Sequence, residues 1–209
     1  MLCVRRAALR TQSMNNLKQL AIGMHNHHAA SRVFPGPEND APAQDGNPQT
    51  KHPYSWRVAL LPYIGHADLH KQYKFDQPWD SQDNLKVMKR MPAVFRHPQD
   101  PPDSTETSYF LISGPKTIFE KGKKPEIHNI RDGTSNTIMI VEAKRRTPWT
   151  KPEDLVSSAD KPLPKFGGYS PQGFNAAFGD GSVRFIAKAV DEKLLRGMIT
   201  ANGQEVIRP

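Results

Sequence analysis

His25, His27 and His28 form the densest histidine group in the sequence. On a helix His25 and His28 share a face, so a divalent metal could bridge them. The nearest carboxylate in sequence is Glu38. Donor side chains in a last helical turn complement the carbonyl end of the helix dipole, and that is the reading adopted, with no metal expected. His66 and His70 have the i, i+4 spacing of helical zinc sites, but a zincin needs Glu after the first His, where Ala67 stands. The pair reads as a solvated helix face. Glu153 and Asp154 are adjacent carboxylates and read as helix capping and dipole compensation. The sequence has no G-x-S-x-G elbow, Cys-His signature, Walker loop or dinucleotide fingerprint. No catalytic residue and no cofactor is expected, and the chain reads as a non-enzyme.

Two loops are rich in oxygen donors, Asp132-Gly133-Thr134-Ser135-Asn136 and Asp180-Gly181-Ser182. Neither follows the EF-hand ligand series. Turn chemistry accounts for both, with Asp and Asn bonding their own backbone and Gly taking positive φ. Trp56, Trp79 and Trp149 each lie beside a Pro-containing turn. They could line a carbohydrate or peptide groove, or cover the edges of a small core.

The elements that must position these residues follow from charge and periodicity. The net charge is +8, yet the first acid is Glu38, and Arg5, Arg6, Arg10, Lys18 and Arg32 precede it. From residue 38 onward 24 basic face 21 acidic side chains, close to balance. The basicity therefore belongs to one terminal helix. That suits a membrane surface or an anionic envelope better than nucleic acid, for which no helix-turn-helix or aromatic-interleaved pattern is present. The single Cys3 excludes an internal disulfide. No run of about 18 apolar residues occurs, so the chain as given reads as soluble.

Residues 4–28 carry Val4, Ala8, Leu17, Leu20, Ala21 and Met24 at spacings of three and four, which predicts an amphipathic helix with its arginines outward, stopped by Pro35-Gly36-Pro37. Residues 35–54 are polar and Pro/Gly-rich and predict a long exposed loop; residues 144–169 predict a second presented loop. Short helices are expected over residues 55–64, over 81–91 with Ser81 as cap, over 150–156 from capping-box spacing, and from Asp191 to about Asn202. Strands are expected over residues 109–112, 116–120, 126–130 and 137–142. A hairpin spans residues 174–186, with Asp180-Gly181 in a type I′ turn. One domain is expected, with residues 1–34 as stem and 35–209 as head.

In collinear order, residues 6–26 (RAALRTQSMNNLKQLAIGMHN), 55–64 (SWRVALLPYI), 75–84 (FDQPWDSQDN), 130–143 (IRDGTSNTIMIVEA), 148–155 (PWTKPEDL), 174–186 (FNAAFGDGSVRFI) and 190–207 resemble a large paralogous bacterial family. These are prepilin-like proteins of unknown function, also labelled solute-binding protein family 10 and recognised by a C-terminal H-x9-DG motif. The resemblance implies an α+β, pilin-like fold: a long N-terminal helix packed on an antiparallel sheet with long loops. The motif positions it singles out are Asn15, Asn16, His25, Asn26, Asp132, Gly133, Ser135, Asn136, Asp180 and Gly181. Major pseudopilins of this general kind can hold calcium in a head loop, which would fall to Asp132 or Asp180.

Three departures are visible. Relatives begin with a prepilin peptidase site and an apolar anchor, whereas this sequence starts about where the stem would leave the bilayer. Ten positions before Asp180 stands Ser170 in place of His. At His97 relatives often carry Cys, so the related thiol feature is absent. The function implied is a pseudopilin-like structural or assembly protein, type II secretion-like, at the periplasmic or extracellular face of the cell envelope. Its partners would be other envelope or pilin-like proteins, with a membrane only through an upstream anchor and no nucleic acid. The alternative is a periplasmic or secreted solute- or glycan-binding module.

Overall fold

The computed structural model describes residues 2–40 and 52–203, with side chains described from Val4 and not at Asp40. The Cys3 side chain, most of the loop expected over 35–54 and the end of the 190–207 stretch lie outside the described residues.

Helix α1 spans Leu2–Ser31, longer than expected at both ends. No proline interrupts it, and Gly23 is its only glycine. It stops before the prolines, at Arg32, whose φ of 65° takes the chain left-handed while its N–H donates to the His28 carbonyl at 2.7 Å. Gly at this position relieves left-handed strain of about 1–2 kcal/mol against about 0.4–1 kcal/mol of added unfolded-state entropy. Arg32→Gly is therefore expected to raise the urea midpoint slightly, and a lowered midpoint would contradict this account of the cap.

The apolar stripe of α1 is real but shorter than the spacing predicted. Leu17, Leu20, Ala21 and Met24 are fully buried, and Ser13 continues the same face. Val4 and Ala8, expected on that stripe, are exposed, because the nine positions from Ala8 to Leu17 make about two and a half turns and put both residues on the face away from the sheet, while Arg6 and Arg10, expected outward, come to the sheet side.

The chain then forms a two-stranded ribbon of β1 (Asn39–Asp40) with β2 (Pro53–Tyr54), which ties the ends of the expected 35–54 loop together. Helix α2 (Trp56–Leu60) is capped by Ser55 and runs into a 3-10 turn over Leu61–Ile64. Helix α3 spans Ala67–Gln72, and α4 spans Gln82–Met88 with Ser81 as its cap.

Strands β3 (Tyr109–Ser113), β4 (Ile138–Glu142), β5 (Leu155–Val156), β6 (Gly173–Phe178) and β7 (Val183–Ala187) form one sheet in the order β5-β3-β4-β6-β7. All pairings are antiparallel except β3 with β5. Helix α5 (Glu192–Ile199), capped by Asp191, closes the fold. The architecture is α+β, a long helix on a mostly antiparallel sheet.

Alternation along the strands builds two cores. Leu17, Leu20 and Met24 of α1 pack with Tyr109, Leu111, Ile140 and Ala177. Phe110, Ile112, Val141, Ala176 and Phe178 point the other way and pack with Leu195 and Ile199 of α5. A register irregularity between Ile138 and Ile140 turns Met139 and Ile140 both toward the stem side.

Four expectations are corrected. Residues 126–130 form a 3-10 turn (Ile127–Asn129) rather than a strand. Residues 116–120 make only isolated bridges, because Gly114 and Lys116 take positive φ and fold the chain back. Residues 150–156 end in β5 instead of forming a helix, since Asp154 is drawn into the core and Leu155–Val156 pair with β3. The hairpin turn is not type I′: Gly181 has φ of 79° and Asp180 is not left-handed. The bonds Gly181 N–H to Phe178 O and Phe178 N–H to Ser182 O mark a three-residue loop. No described helix is long and apolar enough to cross a membrane.

Candidate functional site

Two buried polar assemblies lie on the stem side of the sheet. The first joins α2 to the segment before β5. Arg57 and Asp154 are both fully buried and paired at 2.8 Å. Asp154 Oδ1 also accepts from Trp56 Nε1 at 3.1 Å and from the Leu111 N–H at 2.8 Å. The guanidinium in turn donates to the Tyr109 carbonyl from Nε and Nη2, and to Ser55 Oγ from Nη1. Burial pushes the Asp154 carboxyl up to about 6, and its donors keep it ionised at neutral pH. This assembly is a pin, sealed from solvent on every side.

It also removes two aromatics from any groove. Trp56 is fully buried, as is Trp149, which stacks on Phe95 at 5.4 Å and donates to the Met88 carbonyl at 2.9 Å. Only Trp79 is half-exposed, with Lys151 over its ring. The expected 144–169 loop is thus anchored at its middle, and Glu153, beside Asp154, makes surface pairs with Lys151 and Arg145.

The second assembly sits where α1 crosses the end of β4, and it opens to solvent. Tyr109 and Glu142 are paired across β3 and β4, and Asn175 lies on the same face of β6. Glu142 is 2% exposed. Its Oε2 accepts from Ser13 Oγ at 2.5 Å and Asn175 Nδ2 at 3.0 Å, and its Oε1 accepts from the Asn175 N–H at 2.8 Å. Tyr109 Oη lies 3.0 Å from Ser13 Oγ, and Asn16 Nδ2 donates to it and to the Arg96 carbonyl. Opposite stands His97, also 2% exposed, its Nε2 3.8 Å from Glu142 Oε2.

The Gln99 N–H donates to His97 Nδ1 at 3.1 Å, so the neutral ring carries its proton on Nε2, facing the carboxylate. Tyr169 stacks on the imidazole at 3.7 Å and donates to Asp100, which also accepts from Ser108 Oγ. Above these groups a cavity of about 210 Å³ is lined by His97, Glu142, Asn175 and Phe185 from the head, and by Arg6 and Arg10 from the stem. Arg10 lies over the Phe185 ring at 4.9 Å.

Burial sets the protonation of this floor. It raises the Glu142 carboxyl above its ordinary value, opposed by Ser13 and Asn175, and lowers the His97 imidazole to about 4. Below about 6.5 the unfolded chain takes up a proton at residue 97 that the native state refuses, until about 4. The His97 contribution is therefore fully present above about 6.5 and is lost on acidification toward 4. Asp154 acts with the opposite sign, because its raised value makes the native state the better proton binder. The diagnostic quantity is a difference: the melting temperature of wild type minus that of His97→Gln should shrink from pH 7 to pH 4.5. A constant difference would show that His97 titrates normally.

The other sequence-predicted positions fall elsewhere. Asn15 and Asn26 are exposed on α1. His27 Nδ1 lies 3.0 Å from the Val33 carbonyl, and the Ile127 N–H donates to His28 Nε2. His25 packs edge-on against Phe34. His66 is the N-cap residue of α3, whereas His70 is half-buried against Phe75, so that pair is not a uniform solvated face.

The two oxygen-rich loops meet: the Asp180 N–H donates to Thr134 O and the Gly179 N–H to Thr137 O. Asp180 Oδ1 accepts from the Ser182 N–H, Asp132 Oδ2 from the Gly203 N–H, and Asn136 Nδ2 donates to the Asp132 carbonyl. Gly133 takes φ of 96°, and the Ser135 carbonyl accepts from Arg184. Lys18 of the stem reaches the Gly181 carbonyl at 2.8 Å. Among the described residues no three His, Cys, Asp or Glu side chains come together as a metal site.

The cavity was missed at the sequence level because its parts come from residues as far apart as 13, 97, 142 and 175. Two signals were present. Ser13 is a polar residue on the apolar stripe, and Glu142 is the single charge closing the strand IMIVE.

Compared with known proteins, residues 3–125 match the family model SBP_bac_10, described as a protein of unknown function (DUF1559). No curated protein and no solved structure matches the chain.

Proposed function

The chain belongs to the SBP_bac_10 family of proteins of unknown function (DUF1559), and on that footing we propose that it is a non-catalytic, pseudopilin-like structural or assembly protein of the cell envelope. One observation carries the proposal. Val4 is 75% exposed and Ile22 49% exposed, and they are two of the three exposed large hydrophobics among the described residues. Their separation of 18 positions makes five helical turns, so both lie on one outer line of α1, with Ala8, Thr11 and Asn15 between. The inner face of the helix is held by the head, and the outer face offers a straight, weakly apolar line suited to a neighbouring stem helix. The excess of basic side chains on this helix favours an anionic envelope surface.

The test is fractionation and co-assembly in a bacterial host that carries the gene. Wild type should fractionate with the envelope in a complex with a pilin-like protein. Val4→Asp/Ile22→Asp should lose that complex at unchanged melting temperature, since both positions are exposed. A wild-type chain that is free of envelope and monomeric at all concentrations would end the proposal.

A second reading, a solute-binding module, is supported by the cavity at the stem–sheet junction. Its volume of about 210 Å³ suits a small solute.

A further inference from the structure

We infer that the cavity between α1 and the β4–β6 face binds a small zwitterion, an α-amino acid or a compound with the same paired ammonium and carboxylate. This deepens the solute-binding reading by naming the solute class, and it is independent of the assembly role.

The floor of the cavity has unmet acceptor sites, and the His97 Nε2–H stands 3.8 Å from Glu142 Oε2, beyond hydrogen-bond reach. A carboxylate accepts at about four lone-pair sites, and Glu142 has three of them met, by Ser13 and twice by Asn175. Asn175 is 1% exposed and lines the cavity, and its Oδ1 has no hydrogen-bond partner among the described residues. A buried amide oxygen with no partner is uncommon in native proteins and asks for an explanation. A ligand ammonium, with three N–H groups, supplies what Glu142 can still accept, and what Asn175 Oδ1, closed off in the empty cavity, can accept once the ligand parts the floor.

The rim has the opposite chemistry. Arg6 and Arg10 enter from the stem one helical turn apart, and guanidinium groups bind carboxylates through two parallel N–H bonds. An anion alone would be repelled by Glu142, and a cation alone by the two arginines. A molecule with both charges, ammonium inward and carboxylate outward, satisfies the two ends.

Size and walls agree with this class. A cavity of about 210 Å³ lies below the range of roughly 300–1,000 Å³ of drug-sized ligand sites, which suits a small molecule. That is the scale of an amino acid with a small or medium side chain, which Phe185, Ala7 and Pro171 would flank. Because the acceptors belong to the head and the guanidinium groups to the stem, the ligand would bridge the two.

Isothermal titration of the full chain with each of the free L-amino acids, and with acetate, methylamine, glucose and sulfate, tests the inference. At least one amino acid should bind with one-to-one stoichiometry, while acetate and methylamine, each half of the zwitterion, should not. Arg6→Gln and Arg10→Gln, both surface changes on a helix, should each weaken that binding about tenfold or more at unchanged melting temperature. Val4→Asp/Ile22→Asp should leave it unaltered.

Binding of glucose or sulfate alone would overturn the zwitterion while leaving solute binding standing. No binding by any probe at millimolar concentration would remove both. Binding of an amino acid that ignores both arginine substitutions would place the site elsewhere and overturn the inference.

Discussion

Arg57→Met is expected to destabilise the protein by about 3–5 kcal/mol at pH 7, because it strands an ionised carboxylate in the core. Domains of this size are stable by only about 5–15 kcal/mol, so the variant should unfold at a much lower urea concentration, or fold only in part. The loss should be smaller at pH 5, since Asp154, already raised to about 6 beside the guanidinium, rises further without it and accepts a proton. Arg57→Met/Asp154→Leu should recover part of the loss. Recovery cannot be complete, because Trp56 Nε1 and the Leu111 N–H would then have no acceptor. Urea titrations of the four chains give the coupling energy, expected above about 2 kcal/mol. Additive single substitutions would show that the pair is not the pin described.

Trp149→Ala should cost about 3–5 kcal/mol, as large aromatic truncations in a packed core do. Trp149 is fully buried, stacked on Phe95, and bonded through Nε1 to the Met88 carbonyl at the end of α4. Its removal opens a cavity at the point where the 144–156 segment is held to the head. Trp149→Phe keeps the stack and loses the N–H bond, so its cost should fall to about 1–2 kcal/mol. Urea unfolding with both variants distinguishes this from a peripheral role, in which each change would move the midpoint only slightly.

The segments that give the chain its resemblance are those that build the first assembly. Ser55, Trp56 and Arg57 come from SWRVALLPYI, and Trp149 and Asp154 from PWTKPEDL. The sequence marked these stretches as units without revealing that they meet, because ion pairing between residues 97 positions apart has no local signature.

Periodicity did reveal α1 and α5, each of which buries one face, while β3, β4 and the β6–β7 hairpin were legible from β-branched and aromatic runs between turn residues, although β3, β4 and β6 bury both faces. It failed over 150–156, where a capping-box spacing was overridden by burial of Asp154. It failed again at Val4 and Ala8, which are four apart like members of the stripe but lie on the opposite face of the helix from Leu17 and Met24. The polar junction was legible only in part. His97 and Ser170 stand out as departures from a pattern, and both line the cavity, while no local feature sets Asn175 apart from its strand.

Helix α1 therefore has two faces with separate tasks. The inner face, from Ser13 to Met24, fixes it to the sheet, and the outer line from Val4 to Ile22 is exposed. Site-specific photocrosslinking in the bacterial host, with a photoreactive residue at Ala8 on that outer line and a control at exposed Lys193 of α5, addresses this most directly. The account predicts a discrete adduct with a pilin-like envelope protein from position 8 and none from position 193. No adduct from position 8, or the same adducts from both positions, would contradict it.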